Sequence, residues 1–244
     1  MIRFILCEGK TDAVLLSYYL GRTKGWVYDK NPKKFKLKFP ETDNRHVANY
    51  RNDNETLVIC AVGGKDNFIN FYKDNIEEYI TTSESTDLNY KLAFVIDRDD
   101  RETKEIEDYF SSNLNPHISE IRNGTWTTNY LFNKFEQATS IDVLCLIVPH
   151  ESQGALENQL MDALSEEPYK EKIINKSKEF VEKLALDASE ILSTERLKLK
   201  TKLGVSLAVL YPEKVFSLID EQLRSISWES SEILAKTFEK LLEI

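Results

Sequence analysis

Ile5-Leu6-Cys7-Glu8-Gly9-Lys10-Thr11-Asp12 and Leu92-Ala93-Phe94-Val95-Ile96-Asp97-Arg98-Asp99-Asp100 are the two stretches on which the fold turns. Each is a short apolar run, rich in β-formers, that stops at acidic residues. Runs of this kind, without polar alternation, mark strands buried on both faces of a parallel sheet. Parallel sheets take their ligands outside the carboxyl ends of the strands. Glu8, Asp97 and Asp99 are therefore expected to crowd one crevice. Asp97 and Asp99 stand two apart, so in an extended chain both face the same side. Carboxylates gathered in this way repel one another unless a cation lies between them, and hard oxygen donors favour Mg²⁺ or Mn²⁺.

Working outward, residues 2–7 read as a strand and 11–20 as a helix with Thr11 as its N-cap. Residues 33–39 alternate Lys with Phe and Leu, the period of an exposed strand or hairpin arm. Residues 44–54 are polar and read as a loop. A strand at 57–62 leads through Gly63-Gly64-Lys65 into a helix at 65–80, and 81–89 is a loose Ser/Thr-rich stretch. A strand at 91–97 precedes a helix at 102–113, which Asn115-Pro116 ends. Short strands are expected at 118–121 and 125–132, and a strong apolar run fills 141–148. From there the spacing becomes helical, at 154–164, 169–186, 194–210, 215–223 and 230–242. The expected architecture is α/β: a mostly parallel sheet flanked by helices over 1–150, then a helical C-terminal region over 151–244. Whether that region stands apart or packs on the sheet is open at this level.

The 244 residues are 41% hydrophobic and 11% aromatic, ample for a packed core. The formal charge of −9, from 32 Lys plus Arg against 41 Asp plus Glu, argues against a protein that coats nucleic acid without selectivity. It leaves room for a local basic patch, and Arg22, Lys24, Lys30, Lys33, Lys34, Lys36 and Lys38 cluster. No apolar run is long enough to span a bilayer, and the N-terminus lacks a signal-peptide pattern, so a cytoplasmic protein is expected. Cys7, Cys60 and Cys145 each lie in an apolar run and read as buried thiols in a reducing compartment. His46, His117 and His150 are scattered and no Cys-x-x-Cys occurs, which argues against zinc.

Glu8-Gly9 after the first strand, Asp97-Arg98-Asp99 after a later one, and the intervening strand that ends in Gly63-Gly64-Lys65 together resemble the Toprim domain. Bacterial primases, type IA topoisomerases, the overcoming-lysogenization-defect nucleases and small ribosomal RNA maturases share that domain. The likeness covers residues 1–150, and its Gly-Gly-Lys strand is nearest the nuclease branch. It implies that Glu8, Asp97 and Asp99 are catalytic, with Glu8 a metal ligand or a general acid/base. Asp12, a turn into the first helix, and Glu157, which opens the helix after the last strand, join Glu8, Asp97 and Asp99 as implied metal ligands. Gly9, Gly63, Gly64 and Lys65 are the candidates for cofactor or phosphate binding. Some relatives add a catalytic Lys, for which Lys198, Lys200 and Lys202 are loose candidates.

Each motif also has a plainer reading. Glu8-Gly9 fits an ordinary strand-to-helix turn, and the acids at 97–100 fit a helix N-terminus, where each contributes about 0.3–1 kcal/mol. Gly63-Gly64 suits a turn with positive φ as well as a phosphate cradle. The lysine arm suits a protected sheet edge as well as nucleic-acid contact. Trp26, Phe35 and Phe39 suit core packing better than base stacking. The combination favours a Mg²⁺- or Mn²⁺-dependent nuclease, or related phosphotransferase, acting on DNA or RNA. The alternative is a non-catalytic metal- or nucleotide-binding regulatory module. Analogy alone suggests a separate ATPase subunit as partner and a place in phage defence; a homo-oligomer stays open. A haloacid-dehalogenase-type phosphatase fits poorly, because its Asp-x-Asp belongs on the N-terminal strand, and a receiver domain would need the acids in the opposite order.

Overall fold

Alternate side chains of β1 (Ile2–Cys7) point to opposite faces of the sheet, and both faces are covered. Ile5 and Cys7 enter one apolar core, Ile2, Phe4 and Leu6 the other. This is why the run is apolar from Phe4 to Cys7, with Arg3, which pairs with Glu55, as its polar member. The computed structural model describes residues 1–32, 42, 45–82, 89–114, 116–118 and 120–244. Its strands are β1, β2 (Val27–Tyr28), β3 (Arg45–Asn52), β4 (Glu55–Val62), β5 (Asn89–Asp97), β6 (Trp126–Phe132) and β7 (Ala138–Val148). They form one sheet in the order β2-β3-β4-β1-β5-β7-β6.

The sheet is mixed, which corrects the expectation of a mostly parallel one. Among the described residues, β4-β1, β1-β5 and β5-β7 pair in parallel, while β2-β3, β3-β4 and β6-β7 are antiparallel. The parallel part is the centre, where the apolar runs lie; polar-faced strands flank it. Residues 45–52 are a strand and not the loop their polarity suggested. Backbone pairing to β4 through a tight turn at Asp53-Asn54, with Asp53 at φ 49°, overrides side-chain polarity near the sheet edge. Residues 118, 120 and 121 form no strand, and Ile118 and Ile121 are simply buried. The lysine arm at 33–39 and most of the Ser/Thr-rich stretch lie outside the described residues.

One face of the sheet carries a helical run and α4 (Thr103–Leu114). The run comprises a 3₁₀ turn at Lys65–Asn67, α2 (Phe68–Phe71), a π-helical stretch at Tyr72–Glu77 and α3 (Glu78–Thr82). The other face carries α1 (Lys10–Lys24) and the C-terminal helices: α5 (Leu156–Leu164), α6 (Pro168–Asp187), α7 (Glu195–Leu210), α8 (Ile219–Arg224) and α9 (Glu232–Thr237). Leu160, Met161, Leu203, Leu207, Phe238 and Leu241 share a core with Ile5, Leu57, Ile59 and Leu146 of the sheet. The C-terminal region therefore packs on the sheet, which settles the point the sequence left open. It also brings α5 and α7 to the carboxyl ends of β1 and β5.

Phe238 is fully buried, with its ring 5.1 Å from that of Tyr19 in α1. Phe238→Ala should cost about 3–5 kcal/mol. Because the core is shared, we expect urea unfolding followed by far- and near-ultraviolet dichroism to shift as one transition. Two transitions, only one of them moved, would contradict a shared core.

Candidate functional site

β1 ends at Cys7, beside β4 and β5, so Glu8 leaves the sheet between the two neighbouring strand ends. Its carbonyl accepts from the N–H groups of Gly63 (2.9 Å) and Gly64 (3.0 Å). These glycines have φ values of 82° and 116°, a backbone that side-chain-bearing residues rarely adopt. Their role is thus the turn; their N–H groups lock Glu8 in position and are not turned outward to cradle a phosphate. The Glu8 side chain is 1% exposed, and its Oε1 has no hydrogen-bond partner among the described residues. An orphaned buried carboxylate oxygen is costly and calls for an explanation.

Asp97 closes β5 and is also buried. Its Oδ1 accepts from the N–H of Leu156 at 2.9 Å, the first residue of α5, where the helix dipole favours an anion. Asp99 does not continue the strand: it is left-handed, at φ 54°. It exchanges backbone hydrogen bonds with Gly154 (2.6 and 2.8 Å), and its Oδ2 meets Lys65 Nζ at 3.1 Å. Asp97 and Asp99 therefore do not present side by side from an extended chain, a correction to the spacing argument. Asp99 still adds its charge to the cluster. A non-glycine residue held left-handed stores strain of the kind that gathers at functional sites. Gly154 itself has φ 135°, and a Cβ there would stand 2.3 Å from Asn158 Oδ1.

Asp12 folds back to cap α1, its Oδ2 accepting from Gly9 N at 2.7 Å. The N-cap is Gly9, not Thr11. Glu157 lies in the first turn of α5. Into the midst of these acids reaches Arg196 of α7. Its Nη1 is 3.3 Å from Glu8 Oε2 and its Nη2 3.9 Å from Asp97 Oδ2. Its own pKa is raised by the charges of Glu8, Asp97, Asp99 and Glu157, against the opposing effect of burial. Burial drives the carboxyls of Glu8 and Asp97 above the usual carboxylate range. For Glu8 the Arg196 charge opposes this; for Asp97 the neighbouring charges of Asp12, Glu8 and Glu157 add to it. Burial likewise brings Asp12 to about 7, against the hydrogen bond from Gly9.

Every acid named from the sequence thus gathers at one place. Among the described residues, however, no three His, Cys, Asp or Glu side chains stand close enough, as placed, to hold a metal ion. The reason is visible in the contacts: a guanidinium lies across Glu8 and Asp97, Lys65 holds Asp99, and the α1 cap holds Asp12. The donor set remains suited to a hard divalent cation in kind, and Glu8 Oε1 is a donor without a partner. Of the candidate lysines, Lys198 pairs with Glu195 (2.6 Å) and Lys202 with Glu182, whereas Lys200 lines a cavity of about 340 Å³ with Asp12, Glu157 and Arg196. Sequence reasoning missed Arg196. The available signal was its spacing of four from Lys200, which puts both on one face of α7.

A family described as "Protein of unknown function (DUF3226)" matches residues 2–243. The chain belongs to DUF3226. A solved structure, hypothetical protein PH0156 from Pyrococcus horikoshii OT3, is similar to this DUF3226 protein over 98% of this chain and 99% of its own. The identity is 16% and the TM-score 0.49. No curated protein matches the chain. The thiols of Cys7, Cys60 and Cys145 are free and buried, as expected. No helix among the described residues is long and apolar enough to cross a membrane.

A carboxyl whose folded pKa lies above its ordinary value binds more protons folded than unfolded, so stability falls as pH rises through the interval. For Asp12 that interval runs from 3.8 to about 7. We expect the melting temperature of metal-free protein to decline across it and Asp12→Asn, which keeps an oxygen for the Gly9 N–H, to flatten the decline. A wild-type profile that rises over the same interval would contradict this electrostatic reading.

Proposed function

We propose that this DUF3226 protein is a Toprim-like, Mg²⁺- or Mn²⁺-dependent nuclease acting on DNA or RNA phosphodiesters. The observation that carries the reading is the meeting of Glu8, Asp12, Asp97, Asp99 and Glu157 around Arg196 at the carboxyl ends of β1 and β5. A charge cluster of this kind is costly to build from separate segments unless a cation or an anionic transition state uses it. The central parallel strands and the Glu-Gly and Asp-x-Asp motifs at their ends support the Toprim likeness.

Glu8 and Asp97 would be the principal holders of the divalent ion, with Asp12, Asp99 and Glu157, whose charges act on that pair, as the further candidate ligands. Such an ion, when bound, supplies polarisation of a phosphoryl oxygen and a water of lowered pKa. The protein's own contribution is positioning and electrostatics, the main needs of phosphoryl transfer. Arg196 is the group best placed to turn from Glu8 and Asp97 toward a phosphate oxygen, because its side chain is 44% exposed and a guanidinium donates in a fork that suits phosphate. Lys65, beside Asp99, is a second cation at the same mouth. The Glu8 carbonyl, fixed by Gly63 and Gly64, keeps that residue's orientation while the others move.

The alternative, a non-catalytic metal- or nucleotide-binding module, draws on one specific observation: Arg196 already neutralises part of the cluster. The test is incubation of plasmid, single-stranded DNA and RNA with the protein and Mn²⁺ or Mg²⁺. We expect cutting that is lost with chelator and falls about 100-fold or more in Glu8→Gln and Asp97→Asn. Equal background cutting in wild type and both variants would leave only the binding module.

A further inference from the structure

A second cavity, of about 640 Å³, opens beside the carboxylate site on the α1 face of the sheet. Its walls are α1, β2, β3 and α8. Lys10 and Asp220 line both this cavity and the smaller one that holds Asp12, Glu157 and Arg196, so the two adjoin. Resting on the nuclease reading above, we infer that this groove is a binding site for an unpaired nucleic-acid strand, with bases stacked on its tyrosines and the backbone led toward Arg196.

Three observations carry this. First, the groove displays one exposed aromatic ring, Tyr28, with Tyr18 and Tyr50 partly buried in its wall. Tyr28 is 55% exposed and lies 5.7 Å from Tyr50, ring to ring, at 64°; Tyr18 is only partly buried, with the Arg224 guanidinium 5.0 Å above its ring. Tyr18 and Tyr50 also pack against the core, so Tyr28 is the ring free to take a base, and an exposed ring near a guanidinium is the pattern that stacks bases with little regard to sequence. Second, Lys10 and Arg224 have no carboxylate partner among the described residues, although the chain as a whole carries −9. Arg22, by contrast, is occupied by Glu229 at 2.9 Å and by the carbonyls of Ile226 and Arg224, and is a structural group. Such cations beside an exposed ring suit a phosphate backbone, with Asp220 as the one acidic side chain lining the cavity among the described residues. Third, the shared rim with the carboxylate site gives the strand a direction. Lys10 immediately follows Gly9, at the rim between the two cavities. A duplex cannot use this surface, because its base faces are covered by its own stacking. Trp26 is buried in the core, as the sequence reading favoured, and takes no part in stacking.

Fluorescence anisotropy in EDTA tests the inference, using labelled twelve-nucleotide oligo-dT and oligo-rU beside a blunt DNA hairpin. Both single strands should bind more tightly than the hairpin. Tyr28→Ala should weaken single-strand binding roughly tenfold while Tyr28→Phe, which keeps the ring, should hold it. Tyr28 is exposed and outside the carboxylate machinery, so neither change should affect the fold. Unequal DNA and RNA affinity would identify the preferred strand and leave the stacking site standing. Single-strand binding unchanged in Tyr28→Ala, or a hairpin that binds as tightly, would overturn the inference even if wild type cuts nucleic acid in Mn²⁺. Tyr28-dependent binding without cutting in Mn²⁺ or Mg²⁺ would uphold the groove and dismiss the nuclease.

Discussion

Mutual repulsion among carboxylates at the carboxyl ends of β1 and β5 is the constraint on which the site depends. Glu8 and Asp97 are both buried, and burial alone penalises their charged forms. The fold answers with an oriented backbone donor and with the cations of Arg196 and Lys65. The first turn of α5 donates to Asp97, and Arg196 of α7 reaches across both acids. Removing the partner of a buried charge typically costs several kcal/mol, so the C-terminal helices are part of the site and not an appendage to it. That dependence explains why α5 and α7 pack in the same core as β1 and β4.

The contrast between Glu8 Oε2 and Oε1 gives the site its chemical character. One oxygen faces Arg196; the other is buried without a hydrogen-bond partner among the described residues. A cluster built only for stability would satisfy both, since an unsatisfied buried acceptor is destabilising. The left-handed Asp99, held by Gly154 and Lys65, is a second local departure from the conformation its residue type prefers. Local departures of this kind, set into an otherwise regular sheet, are what a functional site looks like when the rest of the chain is consistent with its fold.

Much of this was legible in the residues. β1, β5 and β7 were visible because double-sided burial keeps their C-terminal halves apolar, and Glu8, Asp97 and Asp99 because they stand at or just beyond the ends of the β1 and β5 runs. The edges were not legible in the same way. β3 carries Arg45, His46, Asn49 and Arg51, and its strand character comes from pairing with β4, a non-local effect that local polarity conceals. The parallel expectation failed for the same reason: apolar runs report the buried centre, and flanking antiparallel strands leave weaker traces. Arg196 lies 188 residues beyond Glu8, and nothing near it in the chain marks its target. The turn at Gly63-Gly64 had two readings from sequence, and the hydrogen bonds to the Glu8 carbonyl favour the turn over the cradle.

The central claim is that these acids form one cation site. Isothermal titration of Mn²⁺ into metal-free protein, for wild type, Glu8→Gln and Asp97→Asn, tests it without requiring turnover. The account predicts saturable binding in the wild type that is abolished or weakened at least tenfold in both variants while their folds persist. Wild-type binding no stronger than that of the two variants would contradict it.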